Sequence, residues 1–273
     1  MLDNPIPGPA VDIAEQRNAQ IKTDGREIAA RLYHPAPDTN LPITIFFHSG
    51  GWVHGTLDMF DRLCATLATQ SECAVLSVDY RLAPENPFPA AWDDAKAALH
   101  WVKDNHGTLS VDANRIALAG DSSGGNLAAA IAQDAAGDSA LVHQLLFYPA
   151  LDGRCGTDSF NAGHAGFLSA EQMRWYWDQY AEAEMRNEPR VSPVLGSIAD
   201  NLAPATIITA GNDPLHDEGV DYADALKAAG VTVSLIDYPG AIHGFASLLG
   251  LVPLADEAVS KAAANLRAAF YPS

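Results

Sequence analysis

Six short runs in the chain are apolar on both alternations: 43–47, 74–79, 116–119, 145–148, 206–209 and 231–237. Near-continuous Val, Ile, Leu and Phe predicts strands buried on both faces of a sheet. Two earlier runs, 17–23 and 27–33, flank Asp24-Gly25, a turn signal that predicts an antiparallel hairpin. Between the later runs lie alanine-rich segments of helical period at 90–105, 125–136, 217–229 and 256–270; in the first, Ala91, Ala95, Ala98, Leu99 and Val102 share one side. Strand and helix alternate, so the pattern predicts a mostly parallel, eight-stranded α/β sheet flanked by helices, with the hairpin as its antiparallel edge. The 273 residues suit one domain spanning 1–273.

Residues 152–200 break the alternation. They are rich in Gly, Asp, Asn and aromatics, and they contain one distinct helix. It opens at Ser169 with Gln172 three positions on, a capping box, and continues through Met173, Trp175, Tyr176, Trp177 and Tyr180. Aromatics this dense between two core strands are expected to form an inserted lid; the alternative is a surface helix that docks its rings on the core.

Charge narrows the partners. Asp and Glu number 34 against 16 Lys and Arg, a formal net charge of −18. Such a chain repels phosphate backbones and anionic membrane surfaces, so nucleic acid is excluded as a natural partner. No apolar run reaches the roughly 18–20 residues needed to span a bilayer, and residues 1–10 lack the basic and apolar regions of a signal peptide. The three cysteines, Cys64, Cys73 and Cys155, form no CxxC and have no partners at metal spacing. Together these features lead to the expectation of a cytoplasmic protein, monomer or homodimer, that uses neither metal nor cofactor.

Candidate chemistry lies at the ends of the predicted strands. Residues 115–126 read RIALAGDSSGGN, in which a strand runs into Gly120-Asp121-Ser122-Ser123-Gly124 and then an Ala-rich helix. G-x-S-x-G in a strand–turn–helix context marks a sharp turn that exposes a serine hydroxyl, here Ser122, beside a helix N-terminus suited to negative charge. Ser123 competes on composition alone, but the middle position of the motif is Ser122. The strand at 43–47 ends in His48-Ser49-Gly50-Gly51-Trp52, where glycines let backbone amides approach a ligand. Gly50, Gly51 and Ser123 are therefore candidate oxyanion donors, and His48 a structural hydrogen-bonding residue. Of nine histidines, His243 follows a strand inside Pro239-Gly240-Ala241-Ile242-His243-Gly244-Phe245 and is the candidate base. Asp213, after the strand at 206–209, is the candidate orienting carboxylate; Asp217, its nearest rival, reads as a helix N-cap. Trp52, Trp175 and Phe245 are candidate substrate contacts.

These stretches resemble the hormone-sensitive-lipase-like family of bacterial carboxylesterases. His48–Trp52 is similar to the family's H-G-G-G-W with Ser49 for the first glycine, and Gly120–Gly125 to its G-D-S-A-G-G with Ser123 for alanine. Asp213–Glu218 matches D-P-L-x-D-E, Ile242–Phe245 matches I-H-G-F, and Val78–Glu85 is also similar to the family. The resemblance implies the α/β-hydrolase fold and cofactor-free hydrolysis of small carboxylic esters of short to medium acyl chains by a Ser-His-Asp triad and a backbone oxyanion hole. An amidase, carbamate hydrolase or acyltransferase would use the same triad, and a non-catalytic small-molecule receptor would use the same fold. Family members carry a longer N-terminal arm, so the resemblance also implies a reduced, more open cap built from about 1–16 and 152–200.

Overall fold

Eight strands form one sheet in the order β1-β2-β4-β3-β5-β6-β7-β8. They are β1 (Glu15–Thr23), β2 (Arg26–His34), β3 (Leu41–Phe47), β4 (Ala74–Val78), β5 (Val111–Asp121), β6 (Leu141–Phe147), β7 (Ala205–Asn212) and β8 (Val233–Ile242). The computed structural model describes residues 8–23, 25–162 and 166–272. β1 pairs antiparallel with β2 in the register Thr23↔Arg26, leaving a two-residue turn of which Asp24 lies outside the described residues. β2 joins β4 antiparallel, and every pair from β4 through β3 to β8 is parallel.

Successive residues of a strand point to opposite faces, and both faces here are covered. Ile43, Ile45 and Phe47 of β3, Ile116 and Leu118 of β5 and Ile207 of β7 enter one core. That core is closed by α2 (Ala90–Leu109), α3 (Ser123–Asp134) and α6 (His216–Ala228). Phe46, Ala117, Ala119, Leu145, Phe147 and Ile208 enter the other, closed by α1 (Asp61–Ser71) and α7 (Pro253–Phe270). The chain therefore has the three-layer α/β architecture expected from its strand and helix rhythm.

Three differences from the sequence reading have physical causes. Helix α1 has no counterpart there: only Leu63 and Leu67 are large apolar residues, and its remaining buried positions are Cys, Ala, Thr and Ser, too small to produce a visible period. β8 runs on to Ile242 rather than ending at Asp237, because β7 keeps pairing with it as far as Asn212↔Ile242 across a bulge. Of the segment 1–16 expected in the cap, residues 1–7 lie outside the described residues, residues 8–14 carry no helix or strand, and β1 begins at Glu15. Val11 and Ile13 pack against the core under α1 and α7.

Between β6 and β7 the chain forms one short helical piece and then the lid-like helix. These are α4 (Asp158–Asn161) and α5 (Ala170–Tyr180). The capping box at Ser169 and Gln172 is present in both directions. The Val78–Glu85 stretch is fastened beneath by Arg81, whose Nε and Nη2 donate to the fully buried Asp94 at 2.8 and 2.9 Å. Among the described residues, no helix is long and apolar enough to cross a membrane.

Candidate active site

β5 and α3 meet at Ser122 in a turn with φ 55° and ψ −117°. A non-glycine residue in that region stores on the order of 1–3 kcal/mol of strain. The turn is affordable only because its neighbours lack side chains. A Cβ on Gly120 would lie 2.3 Å from the Gly124 backbone, and one on Gly124 would lie 1.9 Å from the Phe47 carbonyl oxygen. Two backbone bonds brace the turn, Ser122 N–H to Phe147 O at the end of the neighbouring strand β6 (2.9 Å) and Ala150 N–H to Ser122 O (3.1 Å). The strand end, the elbow and the next strand thus fix where the Ser122 hydroxyl points.

His243 follows β8 directly and Asp213 follows β7 directly, so parallel pairing of those strands sets the two side chains beside each other. The His243 imidazole stands 2.9 Å from Ser122 Oγ through Nε2 and 2.6 Å from Asp213 Oδ2 through Nδ1. Asp213 is fully buried, and its second oxygen, Oδ1, accepts from the Leu215 N–H at 2.9 Å. With both carboxylate oxygens acting as acceptors, Nδ1 carries the imidazole proton and Nε2 is left to accept from the serine. The edge of Tyr148 packs on the imidazole at a centroid distance of 4.9 Å.

The loop after β3 makes its own tight turn. Gly50 and Gly51 have φ of 127° and 60°, and Trp52 follows at 60°. Gly50 turns its carbonyl inward to accept from the N–H groups of Val53 and His54, both at 3.1 Å. A Cβ on Gly50 would collide with the His54 carbonyl, and one on Gly51 with the Tyr176 ring. His48 is buried beneath this loop, stacked on Tyr80 at 4.4 Å, with Nδ1 2.8 Å from Ser49 O. Burial pulls its pKa down to about 4, so it is neutral and structural, as the sequence suggested.

A cavity of about 220 Å³ opens beside Ser122 and His243. Ser49, Gly50 and Gly51 form one side; Met59, Phe60, Leu168, Met173 and Tyr176 make the rest largely apolar. Ser122, His243, Asp213, Gly50, Gly51 and Ser123 are thus brought together. The three expected substrate contacts are not. Trp52 is fully buried and stacked on Tyr180 at 4.2 Å. Phe245 is buried among Tyr148 and Tyr238, and Trp175 is half exposed, beside Tyr176 and away from the cavity wall. Tyr176 takes the place expected of Trp175: its hydroxyl is 2.7 Å from His54 Nε2 and its ring covers Gly51. Helical phase holds the signal that selects it, since Met173, Tyr176, Trp177 and Tyr180 recur at three- and four-residue spacing while Trp175 falls between them. Asp217 also differs from its expected capping role; it sits in the first turn of α6 and accepts from the Ser159 N–H at 2.7 Å.

Comparison with known proteins agrees with this architecture. A family model described as alpha/beta hydrolase fold matches residues 44–247. An ethyl acetate hydrolase of Pseudomonas putida is 40% identical over 242 residues, which cover 86% of this chain and 76% of the relative. The esterase LipI of Mycobacterium tuberculosis is 40% identical over 269 residues, covering 93% and 82%. The crystal structure of EstE1, a thermostable carboxylesterase cloned from a metagenomic library, superposes with a TM-score of 0.92 at 39% identity, covering 98% of this chain and 92% of that one. The chain belongs to the α/β-hydrolase family, in its hormone-sensitive-lipase-like branch of carboxylesterases.

Proposed function

We propose that this protein hydrolyses carboxylic esters of short to medium acyl chains, with Ser122 as nucleophile, His243 as general base and acid, and Asp213 as the group that orients the base. The observation that carries the reading is the unbroken line of contacts from Asp213 Oδ2 through the imidazole to Ser122 Oγ at the mouth of a mostly apolar cavity. His243 Nε2 takes the serine proton as Oγ attacks the ester carbonyl carbon. The tetrahedral oxyanion is held by the amides of Gly50, Gly51 and Ser123. Ser123 supports this role because it opens α3, where an N–H has no intrahelical acceptor. The imidazolium then protonates the departing alcohol, and a water activated by the same nitrogen releases the acid.

On this reading residues 152–200 are a cap over the site, with Leu168, Met173 and Tyr176 as its contribution to the acyl cavity. The cytoplasm suits the protein, since Cys64, Cys73 and Cys155 are free thiols. A cavity of 220 Å³ is small beside the common range of roughly 300–1,000 Å³ for ligand sites, which favours short acyl groups. A series of p-nitrophenyl esters graded by acyl length is expected to give highest kcat/KM at the short end, falling by about tenfold or more once the chain outgrows the cavity. Matched anilides and an added alcohol acceptor complete the test. Turnover of the anilide equal to the ester, or acyl transfer to the alcohol outrunning hydrolysis, would overturn the assignment as an ester hydrolase.

A further inference from the structure

Asp121, the residue before the nucleophile, is fully buried at the end of β5. Neither of its carboxyl oxygens has a hydrogen-bond partner of full geometry among the described residues. The titratable groups that face it are Cys64, Tyr80, Tyr148 and His243, none of them a permanent cation. Burial pushes its pKa up to about 7, and the groups that hold it down include the hydroxyl and main-chain amide of Ser49 and its own main-chain amide. Ser49 reaches it because β3 and β5 are parallel neighbours with Phe47 opposite Gly120, so the residues that leave the two strand ends sit side by side.

Ser49 is also the point at which the chain departs from the glycine of its family's motif. Its carbonyl is engaged by His48, and its neighbours in sequence are Gly50 and Gly51, which line the cavity. We propose that Ser49 and Asp121 form a positioning pair, in which the Ser49 hydroxyl and amide clasp the buried carboxyl of Asp121 and so hold the Gly50 and Gly51 amides at the distance the oxyanion requires. Neither residue touches the reacting atoms; both act through the loop. The proposal rests on the oxyanion role given above to Gly50 and Gly51.

The test uses protein whose ester turnover is first shown to depend on Ser122, so a failure of the functional reading is seen before this one is examined. Ser49→Ala removes the hydroxyl from a half-buried position and is expected to lower kcat about fivefold or more with little change in KM, because the ground state makes little use of the oxyanion hole. In an Asp121→Asn background, the same Ser49→Ala change is expected to alter kcat by less than about twofold. A kcat loss for Ser49→Ala below that fivefold level, a loss carried by KM instead, or full multiplication of the two effects would each overturn the pair. Should Asp121→Asn fail to fold, Ser49→Ala alone decides through the kcat and KM split.

Discussion

Ser122→Ala is expected to lower kcat on p-nitrophenyl acetate by a factor on the order of 10⁶ while leaving the fold intact. The size follows from the chemistry. His243 Nε2 contacts Ser122 Oγ at 2.9 Å, and in the proposed mechanism no acyl-enzyme forms without that oxygen. What remains is catalysis by whatever oxyanion donors and binding contacts survive, about 10³–10⁴ over water in comparable enzymes. The fold is expected to persist because the elbow is held by backbone bonds from Ser122 to Phe147 and from Ala150 to Ser122, which alanine retains. Alanine also tolerates φ 55° no worse than serine does. The measurement is burst and steady-state kinetics beside a thermal melt. Activity within about a hundredfold of the parent would remove Ser122 as nucleophile.

Asp213→Asn is the second large effect, expected at about 10⁴-fold in kcat with modest change in stability. The Leu215 N–H already selects an acceptor at Oδ1, 2.9 Å away. An asparagine must keep its carbonyl oxygen there, which turns its NH₂ group toward His243 Nδ1. Two donors cannot face each other, so the imidazole shifts to the tautomer with its proton on Nε2. That nitrogen is then unable to accept from Ser122, and the base is lost although every heavy atom stays in place. Kinetics at several pH values, with a crystal structure of the variant, would check it. Full activity in Asp213→Asn would mean that the carboxylate has no part in orienting the base.

Much of this was legible in the chain. A strand buried on both faces needs apolar residues on both, and that requirement wrote β3 through β7 into the sequence as unbroken runs such as ITIFF. The sharp turn at Ser122 was equally plain, since a Cβ at Gly124 would strike the backbone of β3 and only glycine fits. What escaped depended on phase and on distant partners. The aromatic helix was visible, but which ring lines the cavity is decided by the rotation of α5 about its axis, and Trp175 and Tyr176 differ there by one step of that rotation. Trp52 follows two glycines and seemed destined for the site. It is instead taken up by Trp177 and Tyr180, whose rings enclose it from a segment more than a hundred residues away. Phe245 likewise serves the core beneath His243. Asp121 carried no signal beyond the motif, because its meaning lies in the absence of a counter-charge, and that is a property of packing.

The central claim is that the imidazole at position 243 activates the hydroxyl at 122 for attack on an acyl carbon. Its most direct test is covalent trapping: the protein is treated with an organophosphate, and the adduct is weighed intact and mapped by peptide mass. The account requires one phosphoryl group per chain, carried on Ser122, and none in a parallel sample of Ser122→Ala. A label on Ser123 or any other residue, or an unlabelled protein that still turns over ester, would contradict it.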